Sequence, residues 1–162
     1  MIIVRHPSEA WRASGTARIA KLALPRCRVV PAAPPYECVD LRLAGLVDTW
    51  LLFPGGAGLD RLGAPPRRLV VLDGTWREVR RMLKKLPSLW KLPRLSLPPK
   101  AEAPLRLRHS PRADRRSTLE AIADAVALLE GKQTAAPLAE VHARFVEHSL
   151  KARGAWPYRG PE

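Results

Sequence analysis

Apolar residues fall along the chain in short runs separated by proline, and the spacing within those runs changes from segment to segment. Residues 1–5, apolar up to Arg5 and stopped by His6-Pro7, predict a first strand. Residues 14–24 predict a helix ended by Pro25, and residues 28–30 a short strand followed by a proline-rich turn at 31–35. Residues 48–53 and 68–72 read as buried strands. The first breaks into the glycine-rich stretch 54–58, and the second runs directly into Asp73-Gly74. The clearest helix follows at 76–86. It places Trp76, Val79, Leu83 and Leu86 on one face and Arg77, Arg80, Arg81, Lys84 and Lys85 on the other. Thr75 with Glu78 three residues on is a capping-box pattern, and Pro87 stops the helix. Residues 87–116 are proline-rich, with short apolar pieces at 95–97 and 105–107 that read as strands within ordered loops. Ser117 and Glu120 form a second capping box ahead of a helix at 118–129 closed by Gly131, and a last helix spans 138–151. Strands alternating with helices predict an α/β layer fold with a mainly parallel sheet.

A length of 162 residues fits one domain with one sizeable core. Composition departs from the globular average in charge. Lys and Arg number 28 against 15 Asp and Glu, leaving +13, and 21 of the 28 are Arg. Such an excess points to a polyanionic partner, nucleic acid first and an anionic membrane second, with a GC-rich genome or a hot habitat as the rival cause. No apolar run approaches the roughly 18 residues of a membrane span, and the start lacks a signal-peptide pattern, so a cytoplasmic protein with no membrane association is expected. Cys27 and Cys38 are separated by ten residues with no histidine cluster beside them, which matches no zinc spacing and reads as two buried thiols.

Several chemistries are excluded by pattern. Residues 55–58 do not match the dinucleotide fingerprint, Gly131-Lys132 lacks the upstream glycine of a phosphate loop, and no serine sits in a nucleophile elbow. His142 and His148, six apart, lie on different helix faces, and His6 and His109 stand alone. Chemistry without metal or covalent nucleophile is expected. Open parallel sheets bind ligands at the carboxyl ends of their strands, and Asp73 sits at such an end. Gly74 permits close approach of the backbone, and Thr75 opens a helix whose free amides suit an anion. The same residues serve equally as a turn and a cap, Trp76 equally as core, and the arginines at 106–116 equally as a solvated loop. The residues alone thus reach a small α/β domain with a basic flank and one strand-end aspartate.

Asp73-Gly74-Thr75-Trp76 after an apolar strand, followed by Leu92-Pro93, Leu107-Arg108 and Ser117-Thr118-Leu119-Glu120-Ala121, resembles the DTW-domain family of tRNA-uridine aminocarboxypropyltransferases. Upstream, His6-Pro7-x-Glu9 with Arg12, Ser14, Thr16 and Arg18, and then Leu52-Phe53-Pro54-Gly55, resemble that family's earlier blocks in the same order. A literal Asp48-Thr49-Trp50 lies within an upstream strand and is taken as coincidence.

The resemblance implies a SPOUT-like α/β fold with a knotted C-terminal half, and transfer of the 3-amino-3-carboxypropyl group of S-adenosyl-L-methionine to the imide nitrogen of a tRNA uridine. By analogy with bacterial relatives that uridine would be in the variable loop (position 47). Asp73 is then the expected general base or orienting group, and burial would have to raise its pKa for it to accept a proton. Leu52, Phe53, Pro54, Gly55, Leu72, Gly74, Thr75, Trp76, Leu92, Arg108, Ser117, Thr118 and Glu120 would surround the cofactor. Arg108 would pair with the cofactor's carboxylate or, alternatively, with Glu120. Arg77, Arg80, Arg81, Lys84 and Lys85 would seat tRNA phosphates, with His6, Arg12, Arg18 and Lys21 as a second patch. A SPOUT-type methyltransferase and a non-catalytic RNA-binding protein are the competing readings. Two departures stand out: bacterial members carry a four-cysteine cluster ahead of the first block, for which Cys27 and Cys38 are not equivalents, and Gly15 occupies a position where the family commonly has Asn. No obligate protein partner is indicated, and a monomer is preferred.

Overall fold

The computed structural model describes residues 1–12, 15–57, 64–99 and 116–154. The chain divides into two compact units, Met1–Pro98 and Pro99–Glu162, and each is described by itself.

Five strands form one sheet in the first unit: β1 (Ile2–Arg5), β2 (Arg28–Pro31), β3 (Thr49–Ala57), β4 (Arg68–Asp73) and β5 (Arg94–Leu95), ordered β2-β1-β4-β3-β5. Every neighbouring pair is parallel. Three α-helices accompany the sheet: α1 (Thr16–Ala23), α2 (Tyr36–Ala44) and α3 (Trp76–Lys85). Short 3-10 turns follow β1 at Pro7–Trp11 and α3 at Pro87–Lys91. The expected mixed α/β class with a parallel sheet is therefore observed. Ile3 and Val4 are adjacent in sequence, hence on opposite faces, and both are fully buried; Leu69, Val70 and Val71 repeat the pattern in β4. A sheet covered on both faces favours such unbroken apolar runs over alternation. On one face Val4, Leu51 and Val70 pack with Val79, Met82 and Leu83 of α3 and with Leu86 and Leu89 beyond it.

Three elements of this unit differ from the sequence reading. Helix α2 was not anticipated, because prolines at 31–35 hid its start, although Tyr36, Val39 and Leu43 carry a helical spacing and Leu43 is buried. β3 continues through Pro54, Gly55 and Gly56 where a loop was expected. Leu52 and Ala57 both stand opposite Leu95, so residues 53–56 bulge out of the ladder. At β5 only Arg94–Leu95 pairs, short of the 95–97 expected. The expected strand at 105–107, the arginines at 106–115, Ser14 and Gly58 lie outside the described residues.

In the second unit α4 (Thr118–Glu130) and α5 (Lys132–Ala152) pack against each other, joined by Gly131 alone at φ +96°. That left-handed geometry is why glycine sits there. Helix α5 starts six residues earlier than predicted and carries Pro137 inside its second turn. Leu119, Ile122 and Ala125 of α4 and Leu138, Val146 and Leu150 of α5 supply the buried face. Among the described residues no helix is long and apolar enough to cross a membrane.

Candidate active site

Neighbouring strands β1 and β4 send their following connections to opposite edges of the sheet, β1 to β2 and β4 across β3 to β5. Their carboxyl ends therefore bound the crevice at which open α/β sheets receive ligands. Asp73 closes β4 at this point and is 4% exposed. Its carbonyl accepts a hydrogen bond from the His6 amide at 2.8 Å, joining the two strand ends. A Cβ on Gly74 would lie 3.3 Å from both His6 Cβ and Glu78 Cβ, so the backbone passes this crevice with little room to spare.

Thr75 caps α3. Its Oγ accepts from the Glu78 amide at 3.4 Å, and Glu78 Oε2 accepts from the Thr75 amide at 2.7 Å and hydroxyl at 2.8 Å, completing the predicted capping box. The other oxygen of Glu78 serves the turn after β1. It accepts from Ser8 Oγ at 2.7 Å and lies 3.6 Å from His6 Nδ1 and 3.7 Å from an Arg12 nitrogen. Arg12 also pairs with buried Glu9. Burial works to raise the Glu78 carboxyl, but the bonds from Ser8 and Thr75 and the nearby His6 outweigh it and bring the group down to about 2. From sequence Glu78 reads only as a cap. Its second role needed the fold, since Ser8 and Glu78 are 70 residues apart.

The bulge of β3 brings Phe53 to Trp76, with ring centroids 5.9 Å apart and planes tilted by 59°. Gly56 allows this bulge to close. A Cβ there would fall 2.2 Å from the Arg94 carbonyl oxygen, and its amide donates to Ser96 Oγ at 2.9 Å. Pro54 and Gly55 are exposed on the bulge, while Leu52 just before it is buried and Leu72 of β4 is half-buried.

The structure thus gathers His6, Phe53, Asp73, Gly74, Thr75 and Trp76 at one rim. Leu92 is elsewhere. Leu51 is level with both Val70 and Arg94, so Leu92 lies two residues before that level and Asp73 three after it. At about 3.3 Å per residue they are roughly 16 Å apart along the strands. The literal Asp48-Thr49-Trp50 begins β3 at that same far end, with Thr49 and Trp50 buried. Arg108 lies outside the described residues. Ser117 and Glu120 form the capping box of α4 in the second unit, where Ser117 Oγ also lies 3.0 Å from His142 Nε2, and Thr118 follows as the first helical residue. His142, read as scattered, is thereby tied to the α4 start by helix pairing that sequence spacing does not reveal.

Of the expected tRNA contacts, Arg77, Arg80, Arg81, Lys84 and Lys85 form one exposed face of α3, and among the described residues none has a carboxylate within ion-pair distance. Arg18 and Lys21 are exposed on α1. His6 and Arg12 are instead engaged in the Glu78 network. At Gly15, which caps α1 without a side-chain bond, a Cβ would stand 3.0 Å from the Arg12 carbonyl, so this backbone geometry disfavours a larger residue.

The chain is similar to tRNA-uridine aminocarboxypropyltransferase 2 of Drosophila melanogaster, with 30% identity over 142 residues, 82% of this chain. It spans 57% of that relative's length. No solved structure matches. The family model for the DTW domain matches residues 1–150, across both units and through the Asp73-Gly74-Thr75-Trp76 loop, and the chain belongs to the DTW domain family.

Proposed function

We propose that this protein is a tRNA-uridine aminocarboxypropyltransferase: it moves the 3-amino-3-carboxypropyl group of S-adenosyl-L-methionine to the imide nitrogen of a tRNA uridine, in the variable loop by analogy. One observation carries the reading. In a chain of the DTW family, a buried aspartate stands at the sheet's switch point, and the helix leaving it carries a face of five cations without acidic partners.

The residues present suit such a donor. The Phe53 and Trp76 rings, their planes tilted by 59°, offer aromatic walls against which an adenine ring can pack, and the Asp73 carboxylate suits a neighbouring sulfonium cation. The donor supplies an electrophilic carbon and a neutral thioether leaving group. Uracil's imide nitrogen is neutral at pH 7 and must shed its proton for attack; Asp73 accepts or orients that proton. Gly74 lets His6 and Glu78 pack closely against the strand end, and the Glu78 network holds the β1 turn there. The cations of α3 hold tRNA phosphates, which positions the RNA without selecting the uridine. A SPOUT-like knotted arrangement of the C-terminal half belongs to the same proposal.

Purified protein incubated with unmodified tRNA and S-adenosyl-L-methionine, followed by digestion and mass measurement of the nucleosides, is the test. A uridine heavier by an aminocarboxypropyl group supports the proposal. A methyl adduct would assign methyl transfer, and salt-sensitive binding without adduct would assign RNA binding alone. Asp73→Asn should reduce transfer at least 100-fold, on the order of a positioned general base, with tRNA affinity kept. Full activity in that variant removes Asp73 from the chemistry.

A further inference from the structure

Beside Phe53, the edge strand β5 carries an arginine that no sequence motif singles out. The Arg94 guanidinium carbon lies 4.6 Å from the Trp90 ring centroid and 5.6 Å from that of Phe53, whose other neighbour is Trp76. Trp90 is fixed by its indole N–H, which donates to the Leu83 carbonyl at 2.8 Å, yet it remains 52% exposed. The backbone of Arg94 is held close against Gly56. Among the described residues no carboxylate lies within ion-pair distance of Arg94. Stacking uses the flat faces of a guanidinium and leaves its in-plane N–H donors available, and a side chain already held loses less freedom when it takes an oxyanion.

The helix adds a parallel row. Trp76, Arg80 and Lys84 follow one another at four-residue steps along α3; Trp76 meets Phe53, and the backbone carbonyl of Leu83, next to Lys84 in the chain, holds Trp90. Contacts therefore run from the exposed Trp90 through Arg94 and Phe53 to Trp76 at the helix start after Asp73-Gly74, with Arg80 and Lys84 further along the same helix. A small carboxylate ligand would need only one of these cations. A polynucleotide strand, with a phosphate and a base at every step, uses both kinds of group repeatedly.

We propose that Trp90 and Arg94, together with Arg80 and Lys84, form the lane that holds the RNA strand leading to the crevice, Arg94 bonding a phosphodiester and Trp90 stacking a base. The lane rests on the RNA-directed reading above and gives it a surface. The test is anisotropy of labelled tRNA over a salt series. Arg94→Gln should weaken binding about fivefold at 0.15 M salt and flatten the slope of log K against log salt by about one. Arg94→Lys should restore the slope while recovering only part of the affinity. Trp90→Ala should cost about tenfold with the slope unchanged, and Trp90→Phe, which keeps a ring, should stay within about twofold. Arg28→Gln, an equal loss of charge on exposed β2 at the opposite sheet edge, should leave the slope unchanged. Thermal melts of each variant establish that it is folded. Wild-type affinity and slope in both Arg94→Gln and Trp90→Ala would overturn the lane, as would an unchanged tRNA affinity with a raised KM for the donor. Transfer measurements keep the two proposals apart. RNA binding that depends on Arg94 in a protein forming no adduct refutes the activity and leaves the lane standing; adduct formation with affinity insensitive to Arg94 and Trp90 does the reverse.

Discussion

At the scale of single residues, Glu78 links the parts of the rim. One oxygen closes the cap of α3 and the other receives Ser8, with His6 and Arg12 close by. Its folded-state pKa of about 2 lies below the ordinary 4.5, so its stabilising contribution is complete above pH 4.5 and is lost as pH falls from there toward 2. Thermal melts should therefore fall steeply for the wild type between pH 4.5 and 2 and less steeply for Glu78→Gln; parallel profiles would show that the network is not coupled to folding. The two glycines of the β3 bulge separate two kinds of constraint. Gly55 has φ +80° in open space, so Gly55→Ala should cost about 1 kcal/mol from backbone strain alone. Gly56 abuts the Arg94 carbonyl, so Gly56→Ala must push β3 and β5 apart and should cost more, about 1–3 kcal/mol by denaturant titration. Equal costs would contradict the close approach.

At the scale of elements, α3 was legible almost to the residue: predicted as 76–86, it runs Trp76–Lys85 with the expected cap, buried stripe and basic face. Local chemistry explains this, because Thr75, Glu78 and Pro87 fix the ends without help from the rest of the chain. Removing the cap hydroxyl in Thr75→Ala, or in Ser117→Ala for α4, should each destabilise by about 1 kcal/mol, measured by chemical denaturation. The Thr75 variant should also loosen the Glu78 network and so flatten the acid limb described above. Other elements were legible only in part. Pro137 argued for a late start to α5, yet helix pairing with α4 buries Ala135 and Leu138 on either side of it and outweighs one missing backbone bond. Pro54 and two glycines argued for a loop, yet β5 pairs with β3 on both sides of the bulge.

At the scale of the whole molecule, the charge of +13 has a concentrated component in the five cations of α3, none paired with a carboxylate among the described residues. Changing Arg77, Arg81 and Lys84 together to Gln should flatten the salt dependence of tRNA binding by about three in log–log slope, while adding three neutral residues that leave the fold intact. A slope that did not move would return the basic excess to composition bias. Most of the strand–helix alternation, the capped helix after Asp73 and the family are legible in the chain alone, because periodicity, caps and ordered motif blocks are local properties. Which blocks meet is set by the fold. Parallel register sets His6 beside Asp73 and carries Leu92 to the far end of the strands, and the β3 bulge delivers Phe53 to Trp76 and Arg94. Strand order and register depend on pairing between segments remote in the chain, and no spacing within a segment records them.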